Sequence, residues 1–403
     1  MSRNKENSAL GQLHAGEYPS FIKYMGSKSK IMDFVIEGIN EVHRGGGVCD
    51  LFAGSGSLAG AIGQQCAVHS NDIQTYSTVL SQTYSNAYLH QGMPSAEELL
   101  DRASIKVKAN RRNLDGICSY NDVKSIEEFN AVEDMQKMLV HRSFRRDWHL
   151  FVKNYSGTWW SAEQCLWIDA LREIAEQYKE TPSYFTILSC LMFAMAYTSQ
   201  GTGHYAQYRD ATTEHSLSDI LIYRKRTVAA YFLRKYQEVS DWLPRNKPSF
   251  VHTSTALDFR DCLAAFKGGT VYADPPYCFV HYSRFYHALE TLVLYDYPNL
   301  QVKNGVLVKG RYREDRHQSP FCIKSQVKAA FADLFVGVMK SDSTLAMSYS
   351  NTGMITIAEV VSLATEIFSS KAIEVLTTDH QHMTLGRLKD RHRDVQECLI
   401  LVR

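Results

Sequence analysis

A large excess of charge of either sign is absent from this sequence of 403 residues. Lysine and arginine number 44, aspartate and glutamate number 43, and the formal net charge is only +1. A strongly basic protein that holds nucleic acid through a bulk field is therefore excluded, and any nucleic-acid contact must come from local patches. The hydrophobic fraction of 45% and the charged fraction of 22% are ordinary for a globular protein, so core material is sufficient.

Metal-binding cysteine spacings and long apolar runs are also missing. The nine cysteines are scattered, without a CxxC pair or a His/Cys cluster at zinc spacing, which predicts no metal and buried thiols in a reducing cytoplasm. The most apolar run, 184–197, has fourteen residues and favours a buried helix, because a membrane span needs about 20. The polar residues 1–20 lack the apolar core of a signal peptide and are predicted to form a mobile tail. A cytoplasmic protein without membrane contact is expected.

The region after this tail alternates between helix and strand patterns. Helical periodicity at 29–43 ends at three glycines, and the short apolar strand VCDLF (48–52) follows. A second strand pattern, AVHSN (67–71), ends before a helical pattern at 74–88. This order is typical of the βαβ start of an α/β sheet.

Strand patterns then disappear over residues 91–245. Capping boxes at Ser95 and Ser161 and an amphipathic pattern at 218–239 predict helices, the last of them long and continuous. We therefore expect a helical insertion here. Strand patterns return after it and complete the sheet, so a catalytic α/β domain is predicted from residues 21–90 and 246–403. The later strand patterns lie at 250–253, 270–274, 344–350, 374–379 and 395–402.

A glycine turn follows the first predicted strand. In AGSGS (53–57) a strand end, a turn and a helix start would bring backbone amides close to a ligand, and Asp72 stands eighteen residues after Gly54. An acidic residue at the end of the second strand suits the hydroxyls of a ribose, so the pattern indicates a nucleoside site. The alternative is a turn needed only for tight strand-to-helix packing. The pattern GxGxxG is not met, because the third glycine falls at Gly60, which disfavours a nicotinamide cofactor.

The segment YADPPY (272–277) ends an apolar strand with two prolines. Proline cannot donate to a sheet ladder and restricts the backbone, so the chain after this strand is stiff. The exocyclic amine of a nucleobase is a poor nucleophile because its lone pair is delocalised into the ring. The Asp274 carboxylate and the Pro275 carbonyl would accept hydrogen bonds from the two N–H groups of this amine, while Tyr277 would stack on the base. The alternative is a Pro-Pro turn with Asp274 as an incidental cap and Tyr277 in the core.

Together these motifs resemble those of the Dam-type, alpha-group, adenine-specific DNA methyltransferases, which use S-adenosylmethionine. Five segments occur in the order of that family. The resemblance implies an α/β fold with a Rossmann-like S-adenosylmethionine-dependent methyltransferase sheet, in which the helical insertion at 91–245 serves target recognition. The five segments are KYMGSK (23–28), VCDLFAGSGS (48–57), SNDIQ (70–74), ALDF (256–259) and YADPPY (272–277).

The resemblance also implies a role for each matching position. The segment with Tyr24 and Lys28 would close over the methionine part of the cofactor, and Asp72 would hold the ribose hydroxyls. Asp258 would contact the adenine amine of the cofactor, with Phe259 along its ring; taken singly, Asp258 also fits an ordinary N-cap and Lys28 a solvated lysine. The implied cofactor residues are Tyr24, Lys28, Asp50, Gly54, Gly56, Asp72, Asp258 and Phe259, and the implied catalytic residues are Asp274, Pro275, Pro276 and Tyr277.

The recognition region departs from the family pattern. In place of an Arg-Asn and Phe-Asn-x-Pro-Phe-Gly loop, this chain has TSQGTGHYAQYRD (198–210), so the recognised DNA sequence is not predicted. Polar and aromatic residues here and in 309–321 suit base or phosphate contact, and equally suit exposed turns. The candidates for DNA contact are Tyr205, Gln207, Arg209, Arg311 and Arg313, with 386–393 as a second basic segment and 348–353 as a weaker match to a segment near the target pocket.

The predicted function is site-specific methylation of the N6 amine of adenine in double-stranded DNA. The target base would turn out of the duplex, and transfer would run in line without a covalent enzyme intermediate. Cys278 is not adjacent to a proline in the way that carbon-methylating enzymes require, so packing is predicted for it. Methylation of the cytosine amine, an RNA substrate and an inactive methyltransferase-like DNA-binding subunit stay open as alternatives, and so does a cognate restriction endonuclease as a partner.

Overall fold

A seven-stranded sheet forms the centre of the protein. The computed structural model describes residues 12–403 except 113, 115–118, 202, 247–248, 278, 280 and 384–391. Of the strands, β5 and β6 pair only with each other, as a small antiparallel hairpin, and the others build the sheet. The strands are β1 (Val48–Asp50), β2 (Val68–Asn71), β3 (Thr253–Thr255), β4 (Thr270–Ala273), β5 (Val302–Lys303), β6 (Val306–Leu307), β7 (Thr344–Ser350), β8 (Ile373–Met383) and β9 (His392–Val402).

The sheet has the order β3-β2-β1-β4-β7-β9-β8. The first five strands in this order run parallel, and β9 and β8 continue the sheet in antiparallel fashion. β1 lies between β2 and β4, so the carboxyl ends of these three strands meet at one edge. A mixed α/β fold with a mostly parallel sheet confirms the predicted class.

Alternating residues of each strand belong to different sides of the core. Leu399 and Leu401 of β9 pack into the larger apolar cluster, whereas Ile400 and Val402 pack into the second one. This period of two follows from the pleat and shows that both faces of the sheet are covered. The helices that provide this cover and build the insertion are α1 (Met32–Val42), α2 (Ser57–Ile62), α3 (Thr75–Asn86), α4 (Ala96–Arg111), α5 (Ile126–Lys137), α6 (Leu150–Tyr155), α7 (Ala162–Glu176), α8 (Ser183–Thr198), α9 (Glu214–Arg224), α10 (Val228–Trp242), α11 (Phe259–Ala265), α12 (Tyr282–Phe285), α13 (His287–Leu294), α14 (Val327–Lys340) and α15 (Ile357–Ile367).

The insertion contains α4 to α10, and its described residues form no strand of the sheet. The apolar run predicted to be a buried helix is α8, whose side chains are almost all buried. A buried ion pair joins α9 to α5, since Arg224 Nε lies 2.8 Å from Glu133 Oε1. The insertion therefore contains a mostly buried apolar helix, α8, and a buried ion pair between two other helices.

The helix predicted over 218–239 is in fact two helices, α9 and α10, which separate at residues 225–227. Thr227 adopts an extended conformation and its hydroxyl accepts a hydrogen bond from Ala230 N at 3.3 Å, so it caps α10. Gln164 Nε2 donates to the carbonyls of Tyr223 and Arg226, both at 2.8 Å. The prediction of one helix is wrong because a distant glutamine satisfies the carbonyls that the break exposes.

Gln164→Ala is expected to lower the free energy of unfolding by about 1–3 kcal/mol, because two carbonyls at the helix break lose their donor. Urea unfolding of the variant and the unmodified protein measures the difference. Gln237→Ala, on the exposed side of α10, is the matched control and should change stability by less than about 0.5 kcal/mol. Equal stability of the two variants would contradict this role for Gln164.

Two boundaries differ from the predictions. Within the predicted tail 1–20, residues 12–20 lie against the fold: Leu13 and Pro19 are buried, and the Tyr84 hydroxyl donates to the Pro19 carbonyl at 2.7 Å. The strand predicted at 250–253 begins only at Thr253, and Val251 before it is exposed. The apolar residues Phe250 and Val251 favoured a strand here, but they precede the residues that pair with β2.

Seven cysteines in the described part of the chain are free thiols and all are buried. In that same part, every helix is too short or too polar to span a lipid bilayer.

Candidate functional site

A cavity lies at the carboxyl ends of β1, β2 and β4, the edge at which open α/β sheets bind ligands. The residues that follow these strands form its wall, together with the start of α11 and the segment before α1. The cavity therefore joins the predicted nucleoside site to the predicted target-base segment. The predicted residues that line it are Tyr24, Lys28, Asp72, Asp258, Phe259, Asp274, Pro275, Pro276 and Tyr277.

The glycine turn lies between β1 and α2. Gly54 and Gly56 have positive φ angles, +52° and +72°. A Cβ at Gly54 would lie 2.8 Å from the Tyr24 ring, and a Cβ at Gly56 would lie 3.0 Å from the Ser81 backbone nitrogen. Both the backbone angle and the space therefore require glycine. Both glycines stand behind the cavity wall, because the Tyr24 ring covers the turn.

Tyr24 belongs to a stack of tyrosines that sequence reasoning missed in part. Its ring centroid lies 4.8 Å from that of Tyr286 and 5.7 Å from that of Tyr282. The Tyr286 hydroxyl accepts a hydrogen bond from Met25 N at 2.7 Å, which holds the segment before α1 over the cavity. Only the fold brings residues 24 and 282–286 together, so no local pattern indicated the stack.

Asp72 follows β2 directly. Its carboxylate accepts hydrogen bonds from Gly54 N at 3.0 Å and Gln74 N at 2.9 Å. Burial raises the pKa of Asp72 to about 6, although these backbone donors lower it. Asp72 thus ties the glycine turn to the end of β2 and presents a titratable carboxylate to the cavity.

Asp50, which was predicted to bind the cofactor, ends β1 and is buried, and the residues that follow it, Leu51 and Phe52, line the cavity. Burial raises the pKa of Asp50 well above its usual range, and the carboxylates of Asp274 and Asp72 raise it further. Asp50 is therefore buried at the end of β1, next to the cavity residues Leu51 and Phe52 in sequence, and does not itself belong to the cavity wall.

Phe259 and Asp258 start α11 at the cavity wall. The Phe259 ring packs with Phe52 and Phe321, with centroids 6.0 Å and 5.1 Å apart. Asp258 Oδ1 accepts from Arg260 N at 3.0 Å and lies 3.2 Å from the Arg260 guanidinium, so it caps the helix. Asp258 is therefore an N-cap, as the alternative interpretation predicted, and it also lines the cavity.

Lys28 makes a central contact of the site. Its Nζ lies 3.1 Å from Asp274 Oδ1 and 3.2 Å from the Tyr277 hydroxyl, and the residue is only 6% exposed. Burial lowers the pKa of Lys28, but the carboxylates of Asp274 and Glu397 outweigh this effect and raise it above its ordinary value. Lys28 is thus a buried cation, and the alternative of a solvated lysine is wrong.

Glu397 in β9 is a site residue that sequence reasoning missed. It is 1% exposed, accepts a hydrogen bond from the Tyr277 hydroxyl at 2.8 Å, and lies 3.6 Å from Lys28 Nζ. One ammonium group therefore faces two carboxylates, and the tyrosine is fixed between them. A lone acid in the apolar run ECLILV was the available signal, because a buried carboxylate needs a partner.

Tyr277 lies between the core and the cavity. It is 9% exposed, its ring meets Tyr349 edge-on at 5.6 Å, and its carbonyl accepts from Met354 N at 3.2 Å. The two interpretations of Tyr277, as a core residue and as part of the wall of a binding site, each describe part of its environment. Its orientation is set before any ligand arrives, since both ends of the residue are held.

The family model of D12 class N6 adenine-specific DNA methyltransferases matches residues 24–355. The chain belongs to this family. The matched range includes the cavity residues from Tyr24 to Tyr277, whereas Glu397 lies beyond it.

Curated relatives of this D12-class chain are modification enzymes of bacteria. Modification methylase LlaI of Lactococcus lactis subsp. lactis is 24% identical over 94% of this chain and 54% of its own length. Type II methyltransferase M.FokI of Planomicrobium okeanokoites is 22% identical over 85% of this chain and 46% of its own. Modification methylase StsI of Streptococcus sanguinis is 21% identical over 94% and 52%. The chain spans about half the length of the curated relatives it matches.

Two of the predicted DNA contacts of this family member are buried. Tyr205 is 3% exposed and packs on Trp160, with ring centroids 5.2 Å apart. Arg311 is 7% exposed and donates to the carbonyls of Asn154 and Lys137, each at 3.0 Å. Their burial contradicts the prediction that they contact DNA, because each side chain is engaged within the protein.

Two further candidates are held by acids. Arg313 pairs with both carboxylate oxygens of Asp296, at 2.7 Å and 2.6 Å, and Arg209 lies 3.0 Å from Asp219. Each of these two guanidinium groups is paired with a carboxylate in this structure. The fifth candidate, Gln207, is exposed.

Gln207 lies in the wall of a second cavity that adjoins the first. The two cavities share His281, Ser283 and His317. The wall of the second one is rich in basic side chains. Lys309 and Arg316 belong to the segment 309–321 that was predicted to suit phosphate contact, whereas Arg284 and Lys303 were missed because they come from other segments.

Two predictions fall on residues whose placement is not described. Cys278 and residues 386–391 of the basic segment 386–393 lie outside the described part of the chain. The segment 348–353 ends β7 and turns, with the Tyr349 hydroxyl donating to the Ile355 carbonyl at 2.8 Å. It thereby supports the wall behind Tyr277.

Proposed function

We propose that the protein is a site-specific DNA methyltransferase that transfers a methyl group from S-adenosylmethionine to the N6 amine of adenine in double-stranded DNA. The observation that carries the proposal is the single cavity in which Asp274–Tyr277 face Asp72 and Phe259. Membership of the family supports the reaction. We also propose that the chain belongs to the Dam-type alpha group, whose order of motifs it shares, and that its sheet is Rossmann-like.

The residues near the glycine turn fit S-adenosylmethionine. The Asp72 carboxylate suits the hydroxyls of a ribose, and the rings of Phe52 and Phe259 form an apolar wall that suits an adenine. Tyr24 and Lys28 would enclose the remaining part of the cofactor, which supplies an electrophilic methyl group when bound. Gly54 and Gly56 would support this site from behind and Asp50 from below, without direct contact.

The target amine would be held by the rigid segment after β4. The Asp274 carboxylate and the Pro275 carbonyl accept hydrogen bonds from the two N–H groups of the amine, and Pro276 keeps the direction of the carbonyl fixed. Lys28 holds the Asp274 carboxylate in place through the ion pair at 3.1 Å, so the acceptor is fixed before the amine binds. Tyr277, fixed by Glu397, supplies the face on which the base stacks. The proposed reaction needs no nucleophilic cysteine and no metal.

The basic second cavity is the proposed path of the DNA strand toward the target pocket. Turning a base out of the duplex costs a few kcal/mol, which stacking and hydrogen bonds in the pocket must offset. Lys303 and Arg316 in the cavity wall would neutralise phosphates beside the turned-out base, and Gln207 lies within reach of the same strand. We propose that the insertion at 91–245 provides target recognition.

The proposal is tested with labelled S-adenosylmethionine and unmethylated bacterial DNA. Nucleoside analysis should find N6-methyladenine, and single-molecule sequencing of DNA from expressing cells should give its sequence context. N4-methylcytosine would support the cytosine-amine alternative, label in RNA the RNA alternative, and no transfer the inactive DNA-binding subunit. The names of the modification methylases LlaI and StsI support a further proposal, a cognate restriction endonuclease as partner in the cytoplasm.

Asp72→Asn is expected to weaken S-adenosylmethionine binding by roughly 10- to 100-fold, because a charged acceptor is lost. In the unmodified protein the carboxylate is charged above about pH 6 and protonated below it. The Kd of the unmodified protein for S-adenosylmethionine should therefore rise as the pH falls through about 6, whereas the Kd of the variant should stay high at every pH. Calorimetry measures both, with Asp33→Asn on the exposed side of α1 as the control. An unchanged Kd would remove Asp72 from the cofactor site.

A further inference from the structure

Cys49, His69 and Cys262 meet on one face of the sheet, where β1, β2 and α11 adjoin. The two sulfur atoms lie 3.9 Å apart, and Cys262 Sγ lies 3.4 Å from His69 Nε2. All three donor atoms lie within 4.8 Å of one another. These residues are far apart along the chain, so no spacing of the sequence indicates the group.

We propose that Cys49, His69 and Cys262 form a binding site for a soft divalent cation such as zinc, separate from the cavity of methyl transfer. Two thiolates and an imidazole are a donor set that zinc prefers. At usual zinc bond lengths, tetrahedral ligands place two sulfurs about 3.8 Å apart and a sulfur and a nitrogen about 3.6 Å apart. The distances of 3.9 Å and 3.4 Å are close to these values.

The surroundings orient the imidazole. His69 Nδ1 lies 2.6 Å from Thr253 Oγ1, so a hydrogen bond from Nδ1 to this hydroxyl leaves the Nε2 lone pair directed at the sulfurs. The Phe266 ring stacks on the imidazole, with centroids 6.1 Å apart. Thr255 Oγ1 lies 3.2 Å from Nε2, so its hydroxyl or a water beside it would be close enough to serve as the fourth ligand.

The charges and the access path also suit a cation. Binding forms two metal–sulfur bonds and one metal–nitrogen bond and releases the two thiol protons to solvent. Two thiolates then neutralise the cation, which suits the complete burial of both cysteines. A groove that also contains Gly47, Val68, Thr253 and Phe266 has His69 in its wall, so a cation from solvent would meet the imidazole first.

Such a cation links three elements that also carry cavity residues. β1 leads to Phe52, β2 leads to Asp72, and α11 begins at Phe259. Binding is therefore expected to raise the melting temperature, because the folded protein presents the site and the unfolded chain does not. The inference does not depend on the proposed reaction, and its test uses no transfer assay. It opposes the prediction of no metal, which considered only spacings along the chain.

The test uses the full chain, reduced and stripped of metal by a chelator, with Co²⁺ as a spectroscopic probe. One equivalent of Co²⁺ should give thiolate-to-cobalt charge-transfer absorption and tetrahedral d–d bands, and Zn²⁺ should displace it. Cys262→Ser and His69→Gln should each weaken binding at least roughly tenfold. Cys398→Ser, at another buried cysteine, is the matched control and should bind like the unmodified protein. His69→Gln keeps the test decisive if the serine variant does not fold, because His69 is only half-buried.

No saturable Co²⁺ binding by the unmodified protein would overturn the proposal. Binding that persists unchanged in His69→Gln would also overturn it. A disulfide between Cys49 and Cys262 that forms in air, together with no Co²⁺ binding after its reduction, would assign the pair to redox chemistry instead and would equally overturn the site.

Discussion

Asp274→Ala should lower the rate of methyl transfer by roughly 100- to 1,000-fold or more, because the target amine loses a preorganised charged acceptor. S-adenosylmethionine binding should stay within about twofold of the unmodified protein, since Asp72 and Phe259 belong to other elements of the cavity wall and Lys28 keeps Glu397 as a partner. Single-turnover transfer of labelled methyl groups and calorimetric titration of the cofactor measure the two effects.

The fold should survive this substitution. Lys28 keeps a carboxylate partner, since Glu397 remains 3.6 Å from its Nζ, and the Tyr277 hydroxyl remains 3.2 Å away. Asp261→Ala, at an exposed position of α11, is the control and should transfer methyl groups normally. Undiminished transfer by Asp274→Ala would exclude Asp274 from the mechanism, and loss of cofactor binding would make its role structural.

Lys28→Met should lower the free energy of unfolding by about 3–5 kcal/mol, because it leaves the carboxylates of Asp274 and Glu397 close together without their cation. The repulsion between these two like charges would then be uncompensated. The loss of stability should therefore be full at neutral pH and should shrink as acid protonates them. Urea unfolding at several pH values measures it.

Two further variants isolate the cause. Lys30→Met changes an exposed lysine two residues away and should alter stability by less than about 0.5 kcal/mol. Lys28→Met combined with Glu397→Gln removes one of the stranded charges and should recover part of the loss. A double variant that is less stable than Lys28→Met would contradict the view that an uncompensated carboxylate is the cause.

Local motifs predicted much of the site, because each is a short segment at the end of a strand. The glycine turn, Asp72 and the segment Asp274–Tyr277 all line or support one cavity, since the carboxyl ends of neighbouring parallel strands share an edge. They all lie within residues 24–355, the range over which the chain matches its family. These features need only residues near one another in sequence, together with the rule that parallel strands align.

Contacts between distant segments could not be predicted. Glu397 reaches Lys28 and Tyr277 only because β9 pairs antiparallel with β7, and Cys49 meets Cys262 only through the packing of α11 on the sheet. Tyr205 and Arg311 were predicted to contact DNA because tyrosine and arginine are common on DNA-binding surfaces, but both side chains are buried inside the protein. Residue type alone does not reveal which side of a loop faces solvent.

The placement of β9 between β7 and β8 has a consequence for the order of assembly during synthesis. Lys28 leaves the ribosome early, but its partner Glu397 emerges only after every other strand of the sheet. Contacts between such distant residues form slowly, because a long loop must close before it yields any stabilisation. The pocket is thus completed by the last strand, and a nascent chain stalled before β9 should hold the proline segment and the glycine turn without a working methylation centre.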